Sequence, residues 1–259
     1  MPSKGIAPRG VWVRVPPAAL DETGERATDR RTHLAAGELN ASQIADTAGI
    51  PRSTVRDWLR QPPRQRRPSL DVASLPEPEY SYLFGFYLGD GTISGGRRGV
   101  YRLRIVTDAR YPGIIAECAA AMQAVMPRNR VHIQRLPYRA VEIGCHSKAW
   151  PMVFPQHGPG RKHERRIELE PWQESIVERF PRQFLRGLVH SDGCRVLNRV
   201  NGKDYPRYFF DQVSDDIRRL FCEACRQLGI RYTWSRWKTV SIARADSVAL
   251  LDSFVGPKT

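Results

Sequence analysis

Apolar residues run almost unbroken through Leu83-Phe-Gly-Phe-Tyr-Leu-Gly-Asp90-Gly91, and a related string returns 102 residues later as Leu185-Arg-Gly-Leu-Val-His-Ser-Asp192-Gly193. Each string predicts a helix carrying two small residues four apart, Gly85 with Gly89 and Gly187 with Ser191, on one face where two backbones can approach closely. Each ends in Asp-Gly, with the glycine expected to stop the helix in left-handed geometry. After Asp90 the period changes to two. Tyr101, Leu103 and Ile105 fall on one face and Arg102 and Arg104 on the other, which predicts a strand over 99–107. A helix follows over 111–126, then strands over 131–134 and 141–145 and a short helix over 147–154. The order recurs after Asp192, with strands near 195–197 and 208–213, a helix over 216–228, strands over 232–234 and 239–242, and a helix over 245–254. The pattern predicts an α+β fold of two pseudo-symmetric αββαββα halves, about 79–170 and 171–259.

The N-terminal third reads differently. Residues 1–28 carry turn formers without periodicity and are expected to be a disordered leader. Over 29–61 the pattern is helical and compact. Asn40 is suited to cap a first helix, Gly49 to make a turn, and Val55 and Trp58 to anchor a second helix. The spacing of Ala45, Gly49, Val55 and Trp58 resembles that of helix-turn-helix DNA-binding modules. That resemblance places Arg52, Ser53, Thr54 and Arg56 toward the major groove. A small helical bundle for protein contact is the alternative. Residues 62–78 are proline-rich and predict a stiff linker.

Composition sharpens this picture. The net charge of +14 points to a polyanionic partner, and residues 80–259, with 29 basic against 17 acidic residues, hold most of it. DNA, RNA and an anionic membrane surface all fit the charge. No apolar run reaches membrane-spanning length and no secretory leader is visible. Five cysteines, an odd count, fit a reducing cytoplasm better than a disulfide framework, and a cytoplasmic, nucleoid-associated location is expected. Cys222 and Cys225 have the spacing of a ligand pair but no second pair, and read as buried thiols on a helix.

The two strings pose a chemical problem. If the helices pack side by side, Asp90 and Asp192 meet at their negative ends, where carboxylates are disfavoured and a divalent cation with oxygen ligands would relieve the repulsion. These residues resemble both motifs of the LAGLIDADG homing endonucleases, in their two-motif, single-chain form, over roughly residues 80–259. The resemblance implies a monomer with internal pseudo-twofold symmetry that binds double-stranded DNA and hydrolyses both strands. It implies Asp90 and Asp192 as catalytic metal ligands, with Mg²⁺ or Mn²⁺ as the ion. It also makes Lys162 and Lys258 the basic residues near the scissile phosphates, and Arg102 and Arg104 part of the DNA-facing surface. Asp108 and Asp215, which follow similar strings (Val106-Thr107 and Val213-Ser214), become candidates for orienting water. The plainer alternatives are helix N-caps for these two aspartates and exposed tails for the lysines.

The leading expectation is therefore a site-specific, divalent-metal-dependent DNA endonuclease with an added helix-turn-helix. A DNA-binding transcriptional regulator on the same fold, catalytically silent, is the competing one. An RNA-splicing maturase is a third, less natural beside a module that reads duplex DNA.

Overall fold

The computed structural model describes residues 40–49, 51–53, 55–56, 70–256 and 258, the side chains of 44, 47 and 48 apart. The chain divides into two compact units, Met1–Ser69 and Leu70–Thr259. In the first, helix α1 (Ala41–Ala48) begins in a capping box. The Asn40 side chain accepts from the N–H groups of Ser42 (3.0 Å) and Gln43 (3.1 Å), while Gln43 Oε1 accepts from the Asn40 N–H at 2.8 Å. Gly49 closes the helix at φ 63°, a left-handed conformation that glycine adopts without strain. Ala45 and Val55 pack together, and Arg52, Ser53 and Arg56 are exposed in helical conformation. Thr54 and Trp58 lie outside the described residues, as do the leader and residues 62–69 of the expected linker.

The second unit starts before residue 79. A 3-10 turn, Val72–Ser74, is capped by Asp71, and Leu75 is buried in the core. Prolines on either side of this stretch hide its apolar residues from a periodicity reading. Helix α2 (Glu77–Asp90) follows, with Pro78 in the first turn, where no N–H is needed, beside Glu77 and Glu79, which complement the positive helix end. Every residue from Tyr80 to Leu88 is buried, so this helix is the axis of the unit.

The first half continues with β1 (Gly91–Gly95), β2 (Tyr101–Asp108), α3 (Pro112–Val125), β3 (Val131–Leu136), β4 (Ala140–Ser147) and a single turn, α4 (Trp150–Val153). Helix α5 (Pro171–Arg179) then leads to α6 (Pro181–Asp192), β5 (Gly193–Val200), β6 (Lys203–Asp211), α7 (Asp215–Gln227), β7 (Thr233–Arg236), β8 (Thr239–Ile242) and α8 (Ala245–Val255). Two antiparallel sheets result, ordered β1-β2-β4-β3 and β5-β6-β8-β7. The architecture is the α+β pair of halves predicted. Leu103, Ile105, Ile143 and Cys145 of the first sheet are buried in one core with Tyr208, Phe210, Val240 and Ile242 of the second. Among the described residues no helix is long and apolar enough to cross a membrane.

Two elements escaped the sequence pattern. Strand β1, Gly-Thr-Ile-Ser-Gly, has too few apolar residues to alternate. Helix α5 buries Gln173 beside Ile176 and Val177, which blurs its apolar stripe. Gln173 is there because it donates to the Tyr80 hydroxyl at 2.6 Å and accepts from Gln156 at 2.6 Å, satisfying buried polar groups behind α2.

Helices α2 and α6 lie in direct backbone contact. A Cβ on Gly85 would stand 2.3 Å from the carbonyl oxygen of Phe184, and one on Gly187 would stand 2.1 Å from that of Tyr82. One turn on, a Cβ on Gly89 would meet Ser191 Oγ at 2.1 Å. The small residues of both strings thus permit the pairing. The glycines after the aspartates serve differently from expectation. Gly91 (φ −79°) and Gly193 (φ −98°) are extended, not left-handed. Glycine is required because a Cβ would come within 2.7 Å of Cα of Tyr87 or of Val189, one turn back, as the chain folds sharply from helix into strand.

Candidate active site

The pairing of α2 and α6 brings their last residues, Asp90 and Asp192, to one end of the helix pair, where both are half-buried. A Cβ on Gly89 would lie 2.7 Å from Asp192 Oδ2, which measures how near the second carboxylate comes to the first helix. Burial raises the Asp90 carboxyl above its ordinary range, against the pull of Lys162 and Lys258. Asp192 is pushed up to about 6 by burial and then by the charge of Asp90, with both lysines and Gln212 opposing. Two acids this close share their titration, and the pair favours a bound cation or a shared proton.

Both lysines converge on the same place. Lys162 Nζ donates to the carbonyl oxygens of Tyr87, Leu88 (2.9 Å) and Gly89 (2.8 Å) in the last turn of α2. Burial lowers its ammonium to about 8, while Asp192 and Asp90 hold it up. Lys258 Nζ donates to the carbonyls of His190 (3.2 Å) and Gly193 at the end of α6, and it too is lowered by burial. Each lysine therefore closes the carbonyl end of one helix and supplies positive charge to the carboxylates there. Neither is an exposed tail.

The two aspartates expected to orient water are paired with arginines of their own. Asp108, at the end of β2, accepts from the N–H and Nε of Arg110, both at 2.9 Å, and the guanidinium holds its carboxyl below the usual range. Asp215 is the first residue of α7, 92% exposed at its side chain and paired with Arg218. The residue that does touch a helix-end acid is Gln212, whose Nε2 donates to Asp192 Oδ2 at 2.7 Å. The ladders explain the difference. Gly91 pairs with Ile105 and Gly193 with Phe210, so the position matching Gln212 in the first half is Thr107. Counting from the helix-end glycines locates it; comparing Val-Thr-Asp with Val-Ser-Asp does not.

Arg102 and Arg104 lie on the face of the first sheet opposite Leu103 and Ile105, open to solvent beside Ser94 and Thr92 of β1. Among the described residues no group of three or more His, Cys, Asp or Glu is placed to hold a metal. The donors at the paired helix ends are two carboxylates, an oxygen set that fits a hard divalent ion completing its shell with water or phosphate oxygens. Cys222 and Cys225 are free, buried thiols that burial raises above their ordinary range.

No protein-family model and no curated protein matches the chain. Solved structures do. The homing endonuclease I-DmoI in complex with DNA and Ca aligns over 70% of this chain and 91% of its own, at 17% identity and a TM-score of 0.50. The N-terminal LAGLIDADG domain of DUF199/WhiA aligns over 75% and 86%, at 12% identity and 0.47. The LAGLIDADG meganuclease I-AabMI bound to uncleaved DNA aligns over 68% and 82%, at 13% identity and 0.41. At these identities the likeness is one of fold, and the second unit has the LAGLIDADG fold.

Proposed function

We propose that this chain is a site-specific, divalent-metal-dependent endonuclease that hydrolyses both strands of a long DNA duplex as a monomer with internal pseudo-twofold symmetry. The observation that carries the proposal is the meeting of Asp90 and Asp192, each at the end of one helix of a close pair, with Lys162 and Lys258 on either side. A protein that only binds DNA has no use for two half-buried carboxylates, one of them raised by the charge of the other, in a strongly basic chain.

In this reading Asp90 and Asp192 hold Mg²⁺ or Mn²⁺. When bound, the ion supplies Lewis-acid assistance to the phosphate and a lowered pKa for its water. The chain's own groups do the rest. Lys162 and Lys258 stabilise charge that develops on each phosphate, and the desolvated setting that lowers Lys162 also strengthens its field. Gln212, fixed on Asp192, orients water on that side. Arg102 and Arg104 place a cationic sheet face along the duplex. Arg52, Ser53, Thr54 and Arg56 extend the footprint from the first unit. I-DmoI, whose fold this chain shares, was crystallised with DNA and Ca, an analogy of fold only.

A second reading, a DNA-binding regulator that does not cut, is favoured by one observation: the Lys162 ammonium is engaged by three backbone carbonyls and so has a structural use of its own. A randomised duplex library incubated with the pure protein and Mg²⁺ separates the two. Recurrent sequenced ends support the nuclease. Enrichment of one sequence by binding, without ends, supports the regulator.

A further inference from the structure

We propose that Glu142 is a positioning residue that fixes Arg102 and Arg104 as a guanine-reading pair on the open face of the first sheet. The proposal rests on the DNA-binding reading above and adds to it which bases are read and what makes the reading rigid.

Glu142 is an anomaly of its strand. Val141, Ile143 and Cys145 of β4 point into the core, so Glu142 belongs to the opposite, solvent-facing side, yet it is only 3% exposed. Cationic and imidazole side chains cover it. Arg102 Nη2 pairs with its Oε1, Arg104 Nε lies 3.6 Å from Oε2, and His132 Nε2 lies 3.4 Å from Oε1. His132 reaches the carboxylate because its neighbour across the ladder is Gly144, where a Cβ would stand 2.5 Å from the ring. Arg102 Nη2, which pairs with Glu142, also lies 3.5 Å from His132 Nε2, so both of these neighbours flank the guanidinium.

The arrangement leaves the face positive. One carboxylate meets two guanidinium groups, and these remain 34% (Arg102) and 50% (Arg104) exposed at the side chain. They are two residues apart on one strand and project from the same face. Arginine forks donate two parallel hydrogen bonds to guanine O6 and N7, the commonest specific contact in the major groove. A free arginine loses much rotamer entropy on making it, and a carboxylate that already fixes the side chain reduces that loss.

The second sheet provides an internal contrast. By the ladders, Arg207 corresponds to Arg102, Phe209 to Arg104 and Thr239 to Glu142. There Arg207 lies over the Phe209 ring at 5.5 Å, and Thr239 donates to Asp211. Among the described residues no carboxylate pairs with this arginine. The target is therefore asymmetric, with guanine fixed at one or two neighbouring positions of the half-site facing the first sheet and a looser requirement opposite.

The test is a binding selection from a randomised duplex library with the full chain in EDTA, run for the unaltered protein, Glu142→Gln and Gly144→Ala. Glu142→Gln removes one negative charge, so non-specific affinity stays equal or rises. Preference for guanine at the positions read by the first sheet falls between about five- and a hundredfold, and preferences in the other half-site are kept. A defect of folding would lower both. Gly144→Ala, which pushes His132 off the cluster, relaxes the same positions. If Glu142→Gln does not fold, Arg102→Lys, which removes the fork, decides with Gly144→Ala. Unchanged base preferences in the folded variants, or a wild-type site without guanine in either half, overturn the proposal alone. A wild-type protein that selects no sequence overturns the DNA-binding reading and this inference with it.

Discussion

Gln212 donates its side-chain amide to Asp192 Oδ2 at 2.7 Å, and among the described residues no side chain does the same for Asp90. The two acids are thus unequally supported. A residue that orients a metal ligand is worth about 10- to 100-fold in metal affinity or activity. Gln212→Ala is expected to slow cutting of one strand by that factor while the other continues, so nicked duplex accumulates. Strand-resolved gels read this directly, and equal slowing of both strands would show that Gln212 acts on the whole fold.

The contact between Gly85 and the Phe184 carbonyl makes a prediction whose sign opposes helix propensity. In an exposed helix, Gly→Ala gains about 1 kcal/mol. Here the new Cβ would stand 2.3 Å from a backbone oxygen that cannot swing aside. Overpacking costs about 1–3 kcal/mol and occasionally more. Gly85→Ala and Gly187→Ala are expected to lower the urea midpoint substantially, and a midpoint equal to or above the parent's would contradict the close pairing of the helices.

The site acids should make the metal-free protein less stable as pH rises. Asp192 has a carboxyl raised from 3.8 to about 6, so between those values the folded chain holds a proton that the unfolded chain has released. Stability from this group falls as pH climbs through that window and stays low above it, by roughly 1–3 kcal/mol after allowance for solvent. In EDTA at pH 7, Asp192→Asn is expected to melt higher than the parent, with the gap closing near pH 4. Mg²⁺ should raise the melting temperature of the parent and not of the Asp90→Asn/Asp192→Asn double variant. Melting curves against pH, with and without Mg²⁺, check both statements.

Arg186 ties the second half's tail in place. It pairs with Glu117 through Nε (2.6 Å) and Nη2 (2.8 Å), and Nη1 donates to the carbonyls of Phe254 and Val255 (2.6 Å), just ahead of Lys258. Loss of this half-buried clamp in Arg186→Met should cost roughly 1–3 kcal/mol and free the end of α8. Hydrogen exchange at Val255 and Gly256 is expected to speed up; unchanged exchange would mean that other contacts fix the tail.

What could be read from the sequence follows from what repeats. Asp90 and Asp192 were legible because the small residues that allow the helices to touch lie in the same string as the acids, so motif and packing carry one signal. Lys162 and Lys258 were legible as positions, but their hydrogen bonds to helix-end carbonyls depend on how each tail returns to its helix, which spacing does not encode. Gln212 was hidden because equivalence between the halves runs through strand register, not through similar strings. Glu142 was hidden for a related reason: a lone acid on an alternating strand reads as solvated until the arginines of β2 and the gap at Gly144 are placed beside it.

Asp90 and Asp192 together are proposed to make a cutting centre. The most direct measurement takes the sequence recovered from the library experiment and compares the unaltered protein with Asp90→Asn/Asp192→Asn for binding and for Mg²⁺-dependent cleavage of both strands. The double variant is expected to bind the site and leave both strands intact. Cleavage by the double variant at the parent's rate would contradict it.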